Sequence, residues 1–142
     1  MREDLHKHLE FVQAIISRMA ANSFLLKGWS VTLTAALFAL AAKDSNPTFI
    51  VVALLPALSF WGLDAYYFRQ ERLFRKLYDN LRLASEDALR KVEPFSLSTE
   101  KYQKDVCGWF CTLWSLTVLA VHGVILVAIF AVLSAVHFGW FK

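Results

Sequence analysis

Residues 28–68 read GWSVTLTAALFALAAKDSNPTFIVVALLPALSFWGLDAYYF, and this stretch decides the fold class. Two apolar runs flank the short polar segment 43–46, and Asp64 is the only charge in the second run. Each run approaches the roughly 20 residues that a helix needs to cross about 30 Å of hydrocarbon. The stretch therefore predicts a helical hairpin in a membrane, with transmembrane helices over 24–42 and 47–68.

Composition extends this prediction to the whole chain. Hydrophobic residues make up 57% of the 142 residues and charged residues 19%, whereas soluble domains average about 45–50% and 25%. Residues 106–141 contain no Asp, Glu, Lys or Arg, which predicts a third transmembrane helix over 108–136. A signal peptide cleaved near 39–41 is a competing interpretation, but acidic residues and an apolar heptad precede it. We expect an all-α integral membrane protein with three transmembrane helices.

Two polar segments, 1–22 and 69–105, carry apolar residues at helical spacing and are expected to be amphipathic cytoplasmic helices. The first stripe comprises Leu5, Leu9, Val12, Ile16 and Met19, and the second Leu73, Leu77, Leu81, Ala84, Ala88 and Val92. Packing of the stripes against each other, or between copies of the chain, is favoured over a membrane-surface helix. Lys and Arg are concentrated in these segments, so the positive-inside rule predicts a cytoplasmic N-terminus.

Lys27 and Asp64 are the most informative charges. Each lies about 18 residues from the centre of the hairpin, so antiparallel helices would bring them to one depth. Because ionisable groups in a membrane are costly, we predict an ion pair. It serves either as a structural clamp or as part of a gate.

Further polar residues in the apolar runs are candidates for a pore or gate. Ser23, Lys27, Ser30 and Thr34 form a stripe along the first transmembrane segment, which either lines a channel between copies or bonds within the helix bundle. His122 lies within the third run. It is a candidate gate or proton site, although a neutral histidine bonded across helices is the more common arrangement.

A basic cluster follows the second apolar run. Its members are Arg69, Arg72, Arg75, Lys76 and Arg82, preceded by Tyr66 and Tyr67. Basic groups beside aromatic rings suit contact with phosphates and stacking of bases, but a positive-inside anchor has the same composition. The sequence contains no phosphate-binding glycine loop, serine triad or HExxH motif, and Cys107 and Cys111 lack a third metal ligand. No catalytic residues, metal or cofactor are predicted.

The segments RMAANSFLLKGW (18–29), FWGLDAYY (60–67) and RQERLFR (69–75) resemble the small multi-pass membrane effectors of bacterial anti-phage defence systems, with the Hailong channel effectors as the nearest group. This resemblance implies a homo-oligomeric ion channel in the bacterial inner membrane whose opening depolarises the infected cell. It further implies control by a nucleotide or single-stranded DNA oligomer made by a partner nucleotidyltransferase. The matching positions are the Lys27 and Asp64 region and the basic cluster.

We therefore expect a channel effector, not an enzyme, that is gated from the cytoplasm by a polyanion. The alternative is a structural or adaptor membrane protein that anchors a cytoplasmic partner.

Overall fold

The computed structural model describes residues 2–44, 46–85 and 95–138, and among them it contains helices and no β-strand. The helices are α1 (Arg2–Asp44), α2 (Thr48–Val52), α3 (Leu54–Leu83), a 3₁₀ turn (Glu100–Tyr102), α4 (Trp109–Leu113) and α5 (Leu116–His137). Three segments are long and apolar enough to cross a membrane, namely Glu3–Asp44, Thr48–Leu83 and Leu116–His137. The all-α class and the three candidate spans are thus as the sequence predicts.

Helix α1 joins the predicted polar segment 1–22 to the first apolar run without a break. It has 43 residues, which at about 1.5 Å per residue gives a length near 65 Å. No proline occurs within it, so every turn can close its backbone hydrogen bonds. A bilayer with its headgroups is about 40–45 Å thick, so α1 is longer than one perpendicular crossing requires.

The second apolar run begins with a short helix and then continues well past its predicted end. The Asn46 side chain accepts a hydrogen bond from the Thr48 N–H at 3.0 Å, at the start of α2. The helix is interrupted at Ala53. Pro56 lies three residues beyond and has no N–H to offer to the Val52 carbonyl, which accounts for the interruption. Helix α3 then extends to Leu83, not to residue 68.

Two apolar clusters hold the bundle together at opposite ends. The cluster at the basic end, which we define as residues 3–22, 69–85 and 95–107, comprises Val12, Ile16, Leu73, Leu77, Leu81, Tyr102 and Val106. The cluster at the hairpin end, residues 37–57 and 125–138, comprises Ala41, Ile50, Ala53, Ala57, Ile125 and Ile129. The two predicted apolar stripes therefore pack against each other within one chain. Ala84 follows the end of α3, and Ala88 and Val92 lie outside the described residues.

The prediction of one continuous helix over 108–136 is wrong. The segment is divided into α4 and α5 by a break at Trp114 and Ser115. The Trp61 side-chain N–H donates to the Leu113 carbonyl at 3.1 Å, and Arg69 Nε donates to the Cys107 carbonyl at 3.2 Å. Side chains of α3 thus occupy backbone acceptors that a continuous helix would use itself.

Replacement of Leu73 by alanine tests the core at the basic end. Leu73 is fully buried, and its truncation should lower the free energy of unfolding by about 2–5 kcal/mol through the cavity that it leaves. Leu83 on the same helix is 74% exposed, so Leu83→Ala is a matched control with an expected effect within about 0.5 kcal/mol. Denaturant unfolding in detergent micelles measures the free energy of unfolding of both variants. Equal decreases would contradict the burial of Leu73 in this cluster.

Candidate functional site

A buried carboxylate stands at the centre of the helix bundle. Asp64 on α3 is 0% exposed. Its Oδ1 atom accepts hydrogen bonds from Ser23 Oγ at 2.5 Å and from Lys27 Nζ at 2.8 Å. Lys27 Nζ also approaches Asp64 Oδ2 at 2.7 Å, so the predicted ion pair is confirmed.

The third helix completes this site through His122. The His122 side chain is 1% exposed, and its Nε2 atom lies 3.0 Å from Asp64 Oδ2. Asp64 therefore links α3 to α1 through Lys27 and to α5 through His122. We refer to Ser23, Lys27, Asp64 and His122 as the Asp64 site.

The helical spacing of the sequence explains how the site is assembled. Ser23 and Lys27 are one turn apart on α1, so both face α3, and Lys27 Nζ donates to Ser23 Oγ at 2.8 Å. The Lys27 side chain is 17% exposed. Its aliphatic stem can therefore lie along apolar neighbours while the ammonium meets the carboxylate.

Sequence reasoning proposed His122 as a separate gate residue and did not place it beside Asp64. The observed span ends explain why the three residues meet. Lys27, Asp64 and His122 lie 17, 16 and 15 residues from the ends of their candidate spans at Asp44, Thr48 and His137. Helices of equal rise that end together bring such residues to one depth.

The remaining hydroxyls of the predicted pore stripe lie inside the chain. Ser30 and Thr34 are buried, and neither hydroxyl has a hydrogen-bond partner within the described ranges. Thr32, which lies off the stripe, is exposed and bonds to the Gly28 carbonyl at 2.9 Å. In this conformation the stripe therefore faces neighbouring helices of its own chain, not the outer surface where a second copy would pack.

The predicted basic cluster is only partly brought together. Arg72, Arg75 and Lys76 line a pocket of about 250 Å³ that Asp79 and Asp105 also line. The cations outnumber the carboxylates by one, so the pocket is weakly cationic in a single chain.

The other members of the cluster have structural contacts. Arg69 donates to the Cys107 carbonyl and to Gln103 Oε1, and so holds the loop before α4 against α3. Arg82 pairs with Asp79 at 3.6 Å. Arg75, although it lines the pocket, also forms an ion pair with Glu71 at 2.7 Å.

The predicted stacking aromatics do not line this pocket. Tyr66 and Tyr67 contact each other edge to face, with ring centroids 5.5 Å apart. Phe68 instead provides the aromatic contact, because the Arg72 guanidinium lies 4.3 Å from its ring centroid. A base stacked here would have to displace Arg72 or use another surface.

The structure also bears on metal chemistry. Within residues 2–44, 46–85 and 95–138, no three His, Cys, Asp or Glu side chains are grouped so as to hold a metal ion. Cys107 and Cys111, four residues apart, bring their sulfur atoms side by side.

Replacement of Asp64 by alanine is the direct test of the site. Removal of the carboxylate leaves the Lys27 charge without its partner in the bundle, which should lower the free energy of unfolding by about 3–5 kcal/mol. Asp79→Ala is the control, because Asp79 is exposed and its ion pair with Arg82 contributes at most about 1 kcal/mol. Denaturant unfolding of the detergent-solubilised protein measures the free energy of unfolding of both variants.

Exchange of the two charges tests their partnership. Lys27→Asp or Asp64→Lys alone places two like charges together and should destabilise the bundle, whereas the double variant restores the pair. We expect the double variant to be more stable than either single variant in the same unfolding assay. Additive losses would mean that Lys27 and Asp64 are not energetically coupled.

No known protein family matches the sequence, and neither curated proteins nor solved structures are similar to this chain.

Proposed function

We propose that this protein is a homo-oligomeric ion channel of the bacterial inner membrane that serves as an anti-phage effector. Cytoplasmic nucleotide or single-stranded DNA would control it, and its opening would depolarise the cell. The observation that carries the channel proposal is the Asp64 site, in which three buried or nearly buried ionisable side chains join three candidate spans. Ionisable groups inside membrane proteins are rare and mark ion or proton pathways and gates.

Gating in this proposal consists of a rearrangement of α1 against α3 and α5. The Lys27 and Asp64 ion pair fixes α1 in its present position, and Ser30 and Thr34 face inward beside it. A displacement of α1 would release the pair and expose these hydroxyls. The described conformation then corresponds to a closed channel, and hydroxyl groups would line the open path.

Orientation follows the distribution of charge. The basic end carries most of the Lys and Arg residues, while Lys43 is the one basic residue of the hairpin segment 43–46. The positive-inside rule therefore supports an N-terminus in the cytoplasm. In this proposed orientation, the pocket of Arg72, Arg75 and Lys76 would be open to a cytoplasmic ligand.

The ligand class is supported by this pocket together with the sequence resemblance. Its cations suit a polyanion, and neighbouring copies in an oligomer would add their own. Simultaneous contacts from several chains would raise the overall affinity above that of one pocket.

An adaptor function is the second candidate, and exposed aromatic residues at the basic end favour it. Phe11 and Phe95 are both exposed and contact each other edge to face. Exposed apolar groups of this kind suit a protein partner. An adaptor would bind that partner without conducting ions.

Planar-bilayer recording on the purified full-length protein separates the two functions. A channel should give unitary currents whose open probability changes when a single-stranded oligodeoxynucleotide is added on the side of the basic end. Absence of currents both with and without the oligonucleotide would contradict the channel proposal and leave the adaptor.

Substitutions in the pocket test ligand binding. Arg72→Gln combined with Lys76→Gln should raise the oligonucleotide concentration needed for half of the effect at least about tenfold, since each tenfold change corresponds to about 1.4 kcal/mol. It should also make that concentration less sensitive to salt. Lys43→Gln at the hairpin end removes a positive charge elsewhere and is expected to leave the concentration unchanged. An equal shift in this control would indicate an effect of net charge alone.

A further inference from the structure

The Asp64 site brings two groups that can be cationic to one carboxylate. Lys27 and His122 reach Asp64 from different helices, and both contact its Oδ2 atom. With Lys27 charged and His122 neutral, the site has no net charge. A proton added to His122 while Lys27 stays in place would give a net charge of +1 in an apolar interior, which is costly.

The chemistry of the contact fixes where such a proton would bind. An ionised carboxylate only accepts hydrogen bonds, so the His122 nitrogen that faces Asp64, Nε2, carries the hydrogen in the neutral ring. The opposite nitrogen, Nδ1, then holds the lone pair. In the part of the chain that the structure describes, Nδ1 is buried and has no hydrogen-bond partner.

Among the described residues, few titratable groups face His122. From α1, Lys27 and Ser23 face the site, and from α3 Asp64 does. The other buried titratable side chains in the described ranges, His8, Glu71 and Tyr102, lie at the basic end. There His8 contacts the Ser96 carbonyl, and Glu71 pairs with Arg75.

We infer that His122 is a proton-binding site of the membrane domain, at which an imidazolium formed on Nδ1 replaces Lys27 as the counter-charge of Asp64. In this exchange one proton comes from water and forms the Nδ1–H bond. The Nε2–H hydrogen bond to Asp64 is kept, and Lys27 leaves with its ammonium charge. The site stays neutral before and after, because one cation replaces another.

The inference deepens the proposed function and in part rests on it. Withdrawal of α1 from α3, which the gating proposal requires, removes Lys27 from Asp64. The carboxylate then lacks a counter-charge unless His122 takes up a proton. Gating would then absorb one proton per chain, and acidification would favour the displaced position of α1. By linkage, proton binding and displacement of α1 must favour each other equally.

Two buried hydroxyls continue the polar face of α1 beyond Lys27. Ser30 lies about one turn beyond Lys27, Thr34 lies one turn further, and neither hydroxyl has a hydrogen-bond partner among the described residues. Buried polar groups that lack protein partners are commonly hydrogen-bonded to internal water.

Nitrogen-15 nuclear magnetic resonance of histidine-labelled, full-length protein in lipid nanodiscs tests the inference, with the His122 signal assigned by its loss in His122→Gln. The wild type at about pH 7, near the usual histidine range, gives the reference ratio of imidazolium to neutral form at His122. In Lys27→Met its ratio of imidazolium to neutral form should be at least about tenfold higher. Without the Lys27 ammonium, the Asp64 carboxylate can pair with the protonated His122 ring alone. Lys27→Arg keeps the cation and is the matched control.

A ratio in Lys27→Met equal to that in Lys27→Arg, at equal helix content, would overturn the inference. Should Lys27→Met not fold, Lys27→Gln, which also lacks the ammonium group, takes its place in the same comparison. The imidazolium then carries hydrogens on both Nδ1 and Nε2, and a ratio equal to that of Lys27→Arg refutes the proposal. The signal reports protonation without any current, so failure of the channel proposal and failure of this one are distinguishable.

Discussion

The structure depends on the neutralisation of one buried carboxylate. An ionised Asp64 in a bundle of apolar helices has a desolvation cost of several kcal/mol, and only close partners offset it. Those partners come from both other long helices, Lys27 and Ser23 from α1 and His122 from α5. The depth and rotation of each helix are thereby restricted, because a shift by one residue would remove a partner from Asp64. Apolar packing alone imposes no such restriction, since lipid tails are as apolar as the side chains.

The Asp64 site lies between the two apolar clusters, so a movement of either cluster would be transmitted to it. On one side, Val12 and Leu73 belong to the cluster that joins α1 to α3 at the basic end. On the other, Ala57 and Ile129 belong to the cluster that joins α3 to α5 at the hairpin end. A ligand that moved the basic end would act on α1 and α3, and the first charged contact reached along α1 is that of Lys27 with Asp64. In the proposed mechanism, a displacement of the basic end would therefore change the pairing of charges at the Asp64 site.

Parts of this arrangement follow from the sequence and parts do not. Helical periodicity predicts which residues of α1 and α3 are buried, and equal distance from the hairpin predicts the pair of Lys27 and Asp64. His122 was not placed in the site because its run is longer than one crossing and has no hairpin to fix its depth. The break before Leu116 was not foreseen either, since the Trp61 side chain, from another helix, bonds to the Leu113 carbonyl beside it. Such contacts depend on tertiary packing, which local spacing does not encode.

The polar stripe and the basic pocket have one property in common. Neither could serve the proposed channel in a single chain in this conformation. Spacing places Ser30 and Thr34 on one face of α1, but it does not say whether that face meets its own chain, a second copy or water. In the structure it meets the chain's own helices, so the proposed conducting state would require that this contact be opened. The pocket of Arg72, Arg75 and Lys76 is likewise incomplete in one chain, because carboxylates nearly balance its cations. A polyanion that bridged several chains would gain from each pocket only a small attraction, yet the sum would act on every α3 at once. The pocket is weakly cationic in each chain, and the Lys27 and Asp64 ion pair holds α1 in place. Both features suit the proposed assembly, in which one ligand would control all copies together.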